Sequence, residues 1–405
     1  MAGEWKYTTW GEEISLEYGK ALRDYYTAGG KFRVYGSNGP IGWTSHALVQ
    51  GPGVVLGRKG AYRGIQYSRD PFFVIDTAYY VKPKRADLDM RWLYYAMQYY
   101  KLGEIDDGSP IPSTTRSAVY VQDLRVPALP EQEAIAKILG SLDDKIELNR
   151  KVRETLEEMA RAIFKSWFVD FDPVAAKSEG RQPEGMDAEI AKLFPDSFVD
   201  SAIGRIPTGW EVCGLDGTAD YLNGLALQKY PADEAEDSLP AIKIAQLRVD
   251  HTLGADRVNT NVPKDYIIQD GDVLFSWSGS LTVVLWCGGC GALNQHLFKV
   301  SSKRFQKWFY YLWTLQHLPE FRCIAADKAT TMGHIQRHHL SAAKVLVPKP
   351  ELLAHMDRVF DPIIQNIIRL KIESHTLSSL RDTLLPRLLS GDFDGIPDSN
   401  NMEAL

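Results

Sequence analysis

Two stretches of the chain carry apolar residues at a seven-residue spacing, and they superpose on each other at a constant shift of 221 positions. The first is LDDKIELNRKVRETLEEMARAIFKSWF (142–168) and the second IIQNIIRLKIESHTLSSLRDTLLPRLL (363–389). Ile135, Leu142, Leu156 and Ile163 fall on Met356, Ile363, Leu377 and Leu384. A repeat of seven keeps one seam of a helix against a partner helix, so each stretch predicts a long helix with the other as its partner. Asn149 interrupts the first seam where Leu370 continues the second; a single polar residue there fixes register at some cost in stability. The first helix is expected from Gln132 to about Phe168, roughly 55 Å long, between Pro130 and Pro173. The second is expected over about 351–390, kinked near Pro362 and irregular after Pro386. A first helix buried only by its twin would leave Trp167 and Phe168 exposed.

The repeat extends beyond the helices. VPALPEQEAI (126–135) precedes the first and VPKPELLAHM (347–356) the second, W5KYTTWGEEISLEYG19 shares its tryptophan-to-glycine spacing with W210EVCGLDGTADYLNG224, and WLYYAM (92–97) matches WFYYLW (308–313). A period near 220 is far longer than the ~20–50 residues of a solenoid unit, so the pattern is a duplicated module. Alternating and glycine-punctuated segments such as FFVIDTAYYV (72–81), GSNGPIG (36–42) and GDVLFSWSGS (271–280) read as strands and turns, and MRWLYYAMQYY (90–100) as an aromatic helix. The expected organisation is a first domain over 1–126, a helix region over 127–174 and a polar connector over 175–209 with a short amphipathic piece around Ile190–Phe194. A second domain follows over 210–347, then a second helix region over 348–391 and a disordered tail over 392–405.

Apolar content of 44% and charged content of 24% are ordinary for a soluble globular protein. With no long apolar span and no signal-like N-terminus, a cytoplasmic location is expected. The net charge of −6 argues against a nucleic-acid partner, but its distribution does not: Lys31, Arg33, Arg58, Lys59, Arg63 and Arg69 occur over 31–69 with no acidic residue among them. Four cysteines are too few and too unevenly placed for a disulfide framework. Cys287 and Cys290 form one C-x-x-C with His296 as the nearest further ligand, which is short of a zinc site, and His334, His338 and His339 lack a nearby acid. No metal is expected.

No phosphate loop, H-E-x-x-H or G-x-S-x-G occurs. The stretch D70PFF73 approaches the signature with which adenine methyltransferases hold an exocyclic amine, but it lacks the second proline, and its surroundings read as an edge strand. No catalytic residue is assigned. What remains is a set of basic, amide, hydroxyl and aromatic side chains on glycine-rich turns: Lys31, Arg33, Tyr35, Ser37, Asn38, Arg58, Lys59, Tyr62, Arg63, Ser113, Thr114, Thr115 and Arg116. Arg and Lys can fork onto guanine and Asn and Gln onto adenine, while hydroxyls, lysines and turn amides suit phosphates. The second-copy candidates are Lys243, Gln246, Ser276, Trp277, Ser278, Ser280, Asn294, Gln295, His296, Lys328, Thr330, Thr331, His334 and Arg337. Arg58-Lys59 aligns with Trp277-Ser278, so two domains of one frame should prefer different sequences.

These residues carry a resemblance. The segments 126–174, LFPDSFVDSAIGRIPTGWE (193–211), YGSNGPIGW (35–43) with GRKGAYRG (57–64), GDVLFSWSG (271–279) and LRDTLLPRLLSG (380–391) are similar to specificity subunits of type I restriction-modification systems. The resemblance implies an α+β chain of two similar target recognition domains joined by two long antiparallel helices, a coiled-coil spacer with pseudo-two-fold internal duplication. It implies that each domain reads half of a split double-stranded DNA site and that the helices set the gap. Two methyltransferase subunits would dock on the chain and bring S-adenosylmethionine, this chain holding no cofactor, and translocating nuclease subunits would join for cleavage. A coiled-coil scaffold that never touches DNA, a stand-alone adenine methyltransferase or nuclease, and the specificity subunit of a type II-like modification enzyme stay open as alternatives.

Overall fold

Both seam-bearing stretches form unbroken 40-residue helices, Leu129–Phe168 and Pro350–Leu389, each about 60 Å long at the standard rise. The structure is a computed structural model that describes residues 5–26, 29–106, 108, 110–232, 237–327 and 333–391. Pro130 and Pro350 lie in first turns, where a missing N–H costs no helical bond. The second helix runs unbroken through Pro362 and Pro386 and ends at Leu389, so the irregularity expected after Pro386 is not there. Gly391, at φ +76°, supplies the left-handed residue that commonly follows a helix end. The tail expected over 392–405 lies outside the described residues.

The chain divides into two compact units, one of 1–146 with 377–405 and the other of 147–376. In the first, an antiparallel sheet orders the strands Ile14–Tyr18, Ala78–Pro83, Gly53–Gly57 and Ile65–Ser68. A second sheet orders Gly39–Thr44, Phe32–Gly36 and Phe72–Val74, the last two parallel. Lys6–Thr9 pairs with Asp123–Val126 and so closes the domain at its two ends. The helix Met90–Tyr99 buries Trp92, Leu93, Tyr95, Ala96 and Met97, and its core is shared with Ile135 and Leu139 of the first long helix and Leu388 and Leu389 of the second. Asp143 of the first long helix meets Arg381 of the second at 2.7 Å, which joins the two helix segments within this unit.

The second unit repeats the scheme. Asp220–Asn223, Leu297–Ser301, Val273–Ser276 and Thr282–Leu285 form the antiparallel sheet, Ser238–Ile242 runs parallel to Gly291–Leu293 in the other, and Glu211–Gly214 pairs with Lys344–Val347. The shared tryptophan-to-glycine spacing has a steric reason. A Cβ on Gly19 would stand 2.1 Å from Ile75 O and one on Gly224 2.2 Å from Asn294 O, so neither site admits a side chain. Both glycines donate their N–H to equivalent carbonyls, Ala78 and Leu297.

Two expectations change in this unit. Trp167 and Phe168 are not exposed: they are 9% and 1% accessible, packed on Phe194, Phe360, Trp210, Trp308 and Trp313. The polar connector is also structured, with helices Asp172–Ser178 and Ala188–Leu193 and the hairpin of Phe198–Ser201 with Gly204–Pro207. It buries Val174, Phe194 and Ile206 in the unit's core. Of the seam residues, Ile135, Asn149, Met356 and Leu370 are buried, while Leu142, Leu156, Ile163, Ile363, Leu377 and Leu384 are half-buried. Asn149 is 2% accessible and its Nδ2 has no partner, the stability cost that a polar seam residue carries. Phe72 and Phe73 of the D70PFF73 stretch are core residues.

Candidate nucleic-acid interface

In the first unit the acid-free run from 31 to 69 folds into the strands Phe32–Gly36, Gly39–Thr44, Gly53–Gly57 and Ile65–Ser68 and the turns that join them. Ser37 ties two of them together, donating to Thr77 O at 2.7 Å and accepting from Lys59 N at 3.1 Å. The 57–60 turn is held against the 112–114 segment by Gly60 N to Pro112 O and Thr114 N to Arg58 O. Arg58 donates from Nη1 to Asp76 O at 3.1 Å and lies 4.9 Å from the ring of Tyr18. Arg116 lies 4.1 Å from the same ring, with Glu17 3.9 Å away. Tyr18, nearly half exposed, was not a sequence candidate; its only signal is its place before Gly19. Burial and the neighbouring Tyr18 hydroxyl push the Tyr79 phenol beneath the two guanidiniums up to about 12, so that ring stays neutral. Such stacking holds a guanidinium plane while leaving its edge donors free.

Other candidates nearby divide by exposure. Lys31, Asn38, Lys59 and Tyr62 are exposed, and Arg33 stacks 4.3 Å from Trp43 on the hairpin. Thr115 caps a short helix by accepting from Ala118 N. Three candidates are corrected. Tyr35 is a core ring edge-on to Phe72 at 5.6 Å, and Thr114 is fully buried. The Arg63 guanidinium is spent inside the domain on Gly103 O, Thr114 Oγ1, Gly60 O and Ile105 O. These three hold the turn rather than project from it.

The second unit builds the same turn from other residues. Gly279 N bonds Gly333 O and Ile335 N bonds Trp277 O, while Arg58 N to Thr77 O becomes Trp277 N to His296 O. Arg58, Lys59, Thr77, Tyr79, Ser113 and Arg116 therefore correspond to Trp277, Ser278, His296, Phe298, His334 and Arg337. Trp277 is flanked by His296, Phe298 and His334 at 6.1, 5.9 and 6.4 Å between ring centres. Arg337 lies 5.6 Å from the Phe298 ring and donates to Tyr221 O. Gln295 and His296 are half-buried, their side chains 3.3 Å apart. Ser280 accepts from Arg248 Nη2, and Lys243 is paired with Asp256.

Gln246, Ser276 and Ser278 are corrected from DNA-facing to structural. Gln246 accepts from Lys243 N and caps its own helix, Ser276 Oγ bridges Ser280 O and Thr282 N across the turn, and buried Ser278 bonds His296 Nδ1 at 3.0 Å. Asn294 is likewise buried. Lys328, Thr330 and Thr331 lie outside the described residues. Burial pushes the Cys287 thiol up to about 11, so it is a packing group at neutral pH. No helix among the described residues is long and apolar enough to cross a membrane.

Each unit thus holds one copy of a duplicated α+β domain, seated on long helix segments and presenting an equivalent turn with different side chains. Residues 5–158 match the family described as type I restriction modification DNA specificity domain. The HindI specificity subunit of Haemophilus influenzae is 27% identical over 341 residues, 73% of this chain and 74% of the relative. The MjaIX specificity subunit of Methanocaldococcus jannaschii is 26% identical over 319 residues, 75% and 68% of the two chains. The crystal structure of the type I restriction-modification S subunit from M. genitalium shares the fold, with a TM-score of 0.62 and 14% identity over 95% of this chain and 96% of that one. Over most of its length the chain is thus similar to specificity subunits of type I restriction enzymes, and its residues 5–158 match the DNA specificity domain of those systems.

Proposed function

We propose that this chain is the DNA-sequence-specificity subunit of a type I restriction-modification complex, each domain reading one half of a split double-stranded target. The observation that carries the reading is the shared turn: one backbone frame bears Arg58 in one domain and Trp277 in the other. The frame positions, and the variable side chains specify. The chain itself makes no bond. Adenine methylation, with S-adenosylmethionine, belongs to two partner methyltransferase subunits, cleavage to translocating nuclease subunits, and the long helices set the gap between half-sites. Leu148, Val152 and Met159 of the first helix are 53%, 40% and 47% accessible at spacings that share one face, an apolar stripe suited to a partner subunit's helix.

The test is co-expression with a cognate methyltransferase subunit, followed by mapping of methylated adenines across a genome. A split motif with one methylated adenine in each half supports the reading. A stable complex that adds no methylation overturns it in favour of a scaffold.

A further inference from the structure

Because the two domains share a frame, their residues can be divided by role. Arg116 and Arg337 occupy equivalent places, and each lays its guanidinium over the ring of the equivalent strand residue, at 5.8 Å from Tyr79 and 5.6 Å from Phe298. On the neighbouring turn the chemistry diverges, Arg58 standing where the second domain has Trp277. Contacts that both half-sites require are those independent of base sequence, which are contacts to phosphate; contacts to base edges must differ.

We propose that Arg116 and Arg337 are the shared phosphate anchors of the two half-sites, and that Arg58 and Trp277 are equivalent base-reading residues. This deepens the DNA-specificity reading and rests on it. Arg58 is held by the Tyr18 ring and by one bond to Asp76 O, which leaves donors for a fork onto guanine O6 and N7. Trp277 has its indole Nε1 buried, so its partly accessible remainder is carbon. At the equivalent base pair it offers an apolar contact, the chemistry that suits a thymine methyl. The first half-site therefore contains a guanine that depends on Arg58, and the second has no such arginine fork at the matching place.

The experiment uses the full chain in complex with its methyltransferase subunits, wild type and the variants Arg58→Gln, Arg58→Lys, Trp277→Ala, Arg116→Gln and Arg337→Gln. Methylated adenines are mapped genome-wide, and binding to a duplex carrying the wild-type motif is measured across a salt series. Arg58→Gln is expected to lower methylation of the original motif by roughly ten- to a hundred-fold and to relax one position of one half only. Arg58→Lys, which keeps the charge, retains guanine at reduced rate. Trp277→Ala relaxes one position of the other half. Arg116→Gln and Arg337→Gln slow methylation at all motif copies without changing the motif, and make the salt dependence shallower by about one counterion each. An unchanged motif in active Arg58→Gln and Arg58→Lys complexes overturns the assignment, as does a changed base preference in either anchor variant. A wild-type complex with no split motif is a different failure, overturning the specificity reading beneath it.

Discussion

In the first unit the first long helix adds ion pairs to the apolar core it shares with its domain, and in the second it joins a block of rings. Asp144 is bound by Arg91 at 2.6 Å and also by Arg69, while adjacent Asp143 joins Tyr95 at 2.6 Å and Arg381 at 2.7 Å. The corresponding junction of the second unit is an aromatic block, in which Phe168 stacks on Phe164 at 4.9 Å and Trp308 on Phe360 at 4.4 Å. Polar links there include Trp308 Nε1 to Asp357 Oδ1 at 2.6 Å, and Asp250, bound by Lys371 at 2.9 Å and His375 at 3.3 Å, ties a loop to the second helix. Burial and dispersion are nondirectional and add up over area. Paired charges add little net energy but fix geometry, and a lone partner left behind is costly. A duplicated frame can thus be held to its helix by either means.

The largest effect that sharpens this contrast is expected from Phe168→Ala, which empties the centre of the aromatic block and should cost about 3–5 kcal/mol. Urea unfolding followed by tryptophan emission reads it directly, since Trp167, Trp210, Trp308 and Trp313 all lie in that core; a change below 1 kcal/mol would break the comparison. Asp143→Ala should cost about 1–3 kcal/mol by leaving the Tyr95 hydroxyl without its acceptor and Arg381 with Asp382 alone, seen as faster amide exchange in 90–100 and 377–389. Arg69→Ala, at a largely exposed pair, should stay within about 1 kcal/mol and fade further in high salt.

A pH series separates the junctions differently. Burial by itself would raise Asp250, but His375 and Lys371 outweigh it and hold the carboxyl below its usual range. A depressed carboxylate stabilises the folded state above its unfolded pKa of about 4 and loses that contribution as pH falls through the lower folded value. Acidification below about pH 4 should therefore loosen this loop, and Asp250→Asn should lose stability at neutral pH and show a flatter profile below about pH 4. An unaltered acid limb in the variant would mean that the loop is held by its packing.

The sequence by itself determined the duplication, the two long helices, the seam with its polar Asn149, and the alignment of Arg58-Lys59 with Trp277-Ser278. Each is a local or periodic property, since a seven-residue seam must face a partner and a repeat is visible in residue types and spacings alone. Tertiary structure decided what the same residue types are for. Arg58 and Arg63 are five residues apart in one glycine-rich run, yet one stacks on Tyr18 with donors to spare while the other is consumed by carbonyls at 60, 103 and 105. Tyr18 was invisible because its neighbours come from residues 58, 79 and 116, far apart in sequence. Trp167 and Phe168 looked unpaired because the aromatic rings that cover them come from connector, domain and second helix. Periodicity records which face of an element is buried; which groups satisfy a buried donor or cover a ring depends on contacts between distant segments, and only the folded chain fixes those.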